Sequence, residues 1–169
     1  MNRYHLGIGL SVVVCTICAA GPALAQRAAD SKVRGDAYYL YLGEIYRGHA
    51  GDHAFILNEF SATGQPVPKD IVAEHAGAIR ANVAASQKAY GKLSAAVKKD
   101  PKAAAHLDEI DKHHSAVLEM CDKLDAEASK DEGDSSTVCG ACEEILKNVD
   151  AADEVHKRLA KQLRIKPLE

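Results

Sequence analysis

Eight His and five Cys sit in a chain of 169 residues, and several occupy positions where a helical protein places Leu or Ile. Apolar residues taken at spacings of three and four define four rows. The first is Tyr38, Leu42, Ile45, His49, His53, Ile56, Phe60. The second is Ile71, His75, Ala78 or Ile79, Val83, Ser86, Tyr90, Leu93, Val97. The third is Leu107, Ile110, His114, Val117, Cys121, Leu124. The fourth is Cys142, Ile145, Val149, Ala152, His156, Leu159, Leu163. His49 and His53 are four residues apart and share a helix face. His113 and His114 are adjacent, so one of them points inward, and the register favours His114. Imidazole and thiolate are relatively soft ligands, which suit copper or zinc better than magnesium, calcium or manganese.

Four helical segments carry these rows. The first spans about Ala29 to Phe60 and stops before Gly64, with Pro66 and Pro68 beyond. Glycine just past the last turn and proline after it are helix stop signals. The second spans Pro68 to Lys99. Asp100-Pro101 then reads as an N-cap followed by proline at the first helical position. The third spans Lys102 to about Lys130, and the polar run 131–136 separates it from the fourth, Thr137 to about Ile165, which Pro167 closes. In that break a serine is expected to cap the last helix. Each segment is about 30 residues, or roughly 45 Å at 1.5 Å per residue. Equal helices with short connections run antiparallel to their neighbours, so the expected fold is all-α, an up-down-up-down four-helix bundle.

Counting down from the end that holds Gly64 and Gly133 places His53, His75, Cys121 and Cys142 within roughly 5 Å of one level. They come from four different helices. One inward His or Cys from each helix is what a metal site in a bundle requires. Two imidazoles and two thiolates suit Zn(II) in a tetrahedron, and also Cu(I). His49, one turn from His53, joins these four as a primary ligand, His114 and Cys139 are neighbouring candidates, and His106 and His156 fall outside this layer. The expected function is capture, buffering or delivery of a transition metal.

Other readings stay open. Cys139-Gly140-Ala141-Cys142 is a C-x-x-C at the start of a helix, a spacing used for metal ligation, thiol exchange and haem attachment. In a redox module Cys139, nearer the helix N-terminus, would attack and Cys142 would resolve. Cys121 and Cys142 are also placed to form a structural disulfide. A structural or partner-binding bundle without metal is the third reading.

The arrangement resembles the cytochrome c′ type of exported four-helix bundle, which carries C-x-x-C-H on its last helix. Here Cys139-Gly140-Ala141-Cys142 is followed by Glu143, so the haem-attachment motif is broken and covalent haem is not expected. The ferritin-like pattern, with Glu-x-x-His on two helices, is absent. Three Cys outside the leader are too few for a copper-storage bundle. No nucleophile elbow, phosphate loop or triad spacing occurs.

Residues 1–25 carry Arg3, an apolar run to Ala20 and Ala23-Leu24-Ala25. These are the three parts of a secretory signal peptide, with cleavage expected after Ala25. Residues 26–169 then form the bundle domain, expected in a bacterial periplasm or secreted. Lys plus Arg number 21 against 24 Asp plus Glu, for a net charge of −3. A mildly acidic chain without a basic block argues against nucleic acid and anionic membranes as partners. The expected partners are a metal ion, a metal-delivery or redox protein, and in a homodimer a second copy.

Overall fold

The computed structural model describes the backbone of residues 12–166 and the side chains of residues 34–166. Two compact units divide the chain, Met1–Gly35 and Asp36–Glu169, and the bundle is the second. The expected leader, residues 1–25, lies wholly outside the residues whose side chains are described. From Val12 the chain is helical. Among the described residues no helix is long and apolar enough to cross a membrane.

The element order is α1 (Val12–Ser61), β1 (Val67–Pro68), α2 (Lys69–Gly91), α3 (Ala95–Lys99), α4 (Pro101–Ala128), β2 (Glu132–Gly133) and α5 (Ser135–Gln162). The four long helices α1, α2, α4 and α5 pack antiparallel, as the sequence predicts. Gly64, at φ 73°, makes the left-handed turn after α1 that residues with a Cβ adopt reluctantly. Asp100 caps α4 by accepting from the amides of Lys102 and Ala103, with Pro101 in the first turn. At α5 the cap is Asp134, not a serine, and its carboxylate accepts from Thr137 N at 2.8 Å. Arg164, at φ 55°, ends α5, and Ile165 N donates back to Ala160 O at 2.9 Å. Pro167 lies outside the described residues.

Two features depart from the sequence reading. β1 and β2 pair antiparallel, with Val67 opposite Gly133, and tie two loops together at one end. The second segment is not continuous to Lys99. It stops at Gly91, and Ser94 caps the short α3 by accepting from Val97 N. Asp36 holds this corner: it accepts from Ser94 N at 2.6 Å and Ser94 Oγ at 2.8 Å. The turn folds Leu93 and Val97 under the bundle, where both are buried. A straight helix would have carried them past its end.

The core has two apolar clusters. One, toward the β1–β2 end, includes Ala54, Leu57, Val72, Ile79, Cys121, Leu124, Cys142 and Ile145. The other includes Leu40, Leu93, Val97, Ile110, Val155 and Leu159. Buried Arg47, Ser86, His114 and His156 form a polar layer in the interior.

Candidate functional site

The inward face of α1 is not the row expected. Leu40, Gly43, Arg47, Ala50, Ala54, Leu57 and Ser61 are buried, while Tyr38, Ile45, Ile56 and Phe60 are 58%, 42%, 52% and 42% exposed. His49 is exposed with them. The reason is close packing. A Cβ on Gly43 would lie 2.8 Å from Tyr90 Cζ, and one on Gly51 3.2 Å from Val149 Cγ1. α1 approaches α2 and α5 through small residues, so its bulky row is turned away from the core.

The polar layer is built around Arg47, whose side chain is 2% exposed. It donates to Asp153 Oδ1 and to Tyr90 Oη, both at 2.6 Å. Tyr90 Oη lies 3.0 Å from His156 Nδ1. A guanidinium only donates, so the tyrosine accepts from Arg47 and passes its own proton toward His156 Nδ1. Neutral His156 then carries its proton on Nε2, 3.3 Å from Glu44 Oε2. That last contact is not aligned as a hydrogen bond, and Glu44 Oε2 is left without a donor. Burial holds His156 down at about 4, helped by the positive charge of Arg47. It pushes the Tyr90 phenol up to about 12, against the pull of Arg47. Burial also raises the Glu44 carboxyl above its ordinary value. Ser86 Oγ donates to Gly43 O at 2.8 Å and closes the layer beside α1.

His114 is buried with its ring 6.1 Å from that of Tyr90. Its Nε2 has no hydrogen-bond partner, and burial brings its pKa down to about 4, again with Arg47 adding to the effect. It belongs beside this layer and is not grouped with the other expected ligands.

His53 and His75 do come together. Their Nδ1 atoms are 3.3 Å apart and their rings meet edge to face, with centroids 5.3 Å apart at 64°. Both are half-buried. Such a contact between neutral imidazoles needs one Nδ1 to donate and the other to accept, so the two rings are opposite tautomers. Burial, then the neighbouring His53, lowers the pKa of His75 and favours its neutral ring, the form that binds metals. His49 lies one turn from His53 on the exposed row.

The thiols sit elsewhere in character. Cys121 and Cys142 are free, fully buried members of one apolar cluster. Burial pushes them up to about 11 and about 12 respectively, so both remain protonated at neutral pH and behave as small core residues. Cys139 is half-exposed, with Sγ 3.2 Å from Asn58 Oδ1. It lies in the second turn of α5, past the first-turn amides. The three thiols are all free, so no disulfide joins Cys121 to Cys142 in this structure. Among the described residues no three His, Cys, Asp or Glu side chains gather as a set of metal ligands.

No protein-family model, no curated protein and no solved structure matches the chain. The site therefore has to be read from its own geometry. Sequence reasoning missed Arg47, Glu44 and Asp153 altogether. A signal was present: Leu40, Gly43, Arg47, Ala50, Ala54 and Leu57 keep a strict three-four spacing. It was masked by the larger apolar residues of the opposite face.

Proposed function

We propose that this bundle captures a transition metal, zinc or copper, at the His53–His75 pair. The observation that carries the reading is the 3.3 Å separation of the two Nδ1 atoms. Tetrahedral bonds of about 2.0–2.1 Å place two ligand nitrogens about 3.3–3.4 Å apart, whereas a linear arrangement needs about 4 Å. The pair therefore has the bite of a tetrahedral site and does not suit linear Cu(I). The rings reach from two different helices, α1 and α2, whose packing sets the spacing before any metal arrives. Their half-burial leaves room on the outer side for water, or for a ligand from a delivery partner, at the remaining positions.

Two protein ligands make an exchangeable site, which suits buffering and transfer better than permanent structural retention. The thiols of Cys121 and Cys142 stay in the apolar core in this reading, with Cys139 apart at Asn58. The experiment is a Zn(II) titration against a chromophoric chelator with the unaltered chain, His53→Ala and His75→Ala. Each substitution is expected to weaken binding at least tenfold. Unchanged affinity in both variants would remove the site.

A further inference from the structure

Among the described residues, the large hydrophobic side chains left exposed all lie on α1: Tyr38, Ile45, Phe55, Ile56 and Phe60. These include both phenylalanines of the chain. Four of the five fall on one stripe with half-buried Leu42, exposed His49 and half-buried His53. The stripe is symmetrical about His49. Ile45 and His53 lie four residues on either side of it, Leu42 and Ile56 seven, and Tyr38 and Phe60 eleven. Its length is about 33 Å at 1.5 Å per residue.

We infer that this stripe is an interface between two copies of the chain, with the two α1 helices antiparallel and the two-fold axis at His49. Under that operation Tyr38 meets Phe60 of the second copy, Leu42 meets Ile56, Ile45 meets His53, and the two His49 rings face each other. Spacings of four and three keep the seven side chains on one face. A two-fold contact requires a self-complementary patch, and reversal of this stripe reproduces its spacing position for position, with an aromatic residue at each end. A partner of different sequence would need no such symmetry. An anionic membrane is a poor occupant. From Asp36 to Ser61 the only Lys or Arg is Arg47, which is buried against Asp153, while Glu44, Asp52 and Glu59 would repel lipid phosphate. The interface goes beyond the metal reading and does not require it: apolar contacts form the seam with or without a bound ion, and His53 would meet Ile45 of the second copy through its ring carbons while its Nδ1 faces His75.

Sedimentation of the purified chain over a wide concentration range, with chelator present, tests the interface apart from any metal. A concentration-dependent dimer is expected. The double variant Ile45→Glu/Ile56→Glu should raise the dimer dissociation constant at least tenfold while its helical circular dichroism stays unchanged. In a Cys139→Ser background, mild oxidation should cross-link His49→Cys into dimers. Leu42→Cys should not cross-link, because its neighbour across the seam is Ile56. A chain that stays monomeric throughout, a dimer untouched by the two glutamates, or cross-linking of Leu42→Cys equal to that of His49→Cys would each overturn the proposal.

Discussion

The Arg47 layer and the His53–His75 pair are both polar insertions into an apolar bundle, and they differ in what each leaves over. Around Arg47 a chain of hydrogen bonds runs from the guanidinium to Asp153 and Tyr90 and from the tyrosine to His156, and Glu44 Oε2 and His114 Nε2 at its margin are left without partners. Arg47, Tyr90 and His156 are buried, and the direction of each hydrogen bond follows from the guanidinium, which only donates. The histidine pair has one contact between its two rings and half-exposed surroundings. A buried hydrogen-bonded network holds one arrangement of a core in place. An unsaturated pair at the edge is where a ligand adds the most.

The largest effect is expected from breaking the closed site. Arg47→Ala leaves Asp153 with Lys157 as its remaining charged partner and the buried Tyr90 hydroxyl without its donor, and should cost about 3 kcal/mol of stability, measured by urea denaturation. Acid should act next. His114 and His156 are held at about 4 in the fold, against about 6.5 when unfolded. The unfolded chain therefore binds more protons between these values, and stability falls as pH drops from about 6.5 toward 4. By pH 5 the loss is about 2 kcal/mol for each imidazole, read as a fall in the urea midpoint between pH 7 and pH 5. His114→Leu sharpens the point: it removes a buried unpartnered nitrogen, so it should be neutral or stabilising at pH 7 and flatten the acid slope. Gly43→Ala follows. Its Cβ would meet the Tyr90 ring at 2.8 Å, and the overpacking of about 1–3 kcal/mol should outweigh the helix-propensity gain of about 1 kcal/mol. The smallest stability change belongs to the open site. His75→Ala should change the stability by about 0.5 kcal/mol or less while weakening metal binding. A large loss of stability there would erase the distinction between the two regions.

The sequence carried the architecture because its punctuation is explicit. Gly64, Asp100-Pro101 and the polar run before α5 mark the turns with residues whose backbone preferences leave few alternatives. The inward rows of α4 and α5 were legible too: Ile110, His114, Val117, Cys121 and Leu124, and Cys142, Ile145, Ala152, His156 and Leu159, are all buried. α1 was not. Its inner face is made of Gly, Ala and one Arg, while its outer face carries Ile, Phe and Tyr. Hydropathy ranks the two faces in the wrong order because it does not register how closely helices approach. At the start of α2 the row was one residue out, with Val72 and Ala76 buried in place of Ile71 and His75. That shift, together with the turned α1, is why His53 and His75 meet at an edge and not in a central layer with the thiols. The corner at Gly91–Ser94 was hidden because a helical row continues through it to Val97.

The two-residue bridge between Val67 and Gly133 has a meaning for the order of assembly. It joins positions far apart in sequence, and everything from α2 to α4 must be in place before its partners are within reach. Closing a loop of that length early would cost entropy that two residues of pairing do not return. The bridge is therefore a late event, formed after the helices dock. What forms last should open first, so its amides should exchange by local opening before those of the helices, which makes this smallest element a reporter of fraying at that end of the bundle.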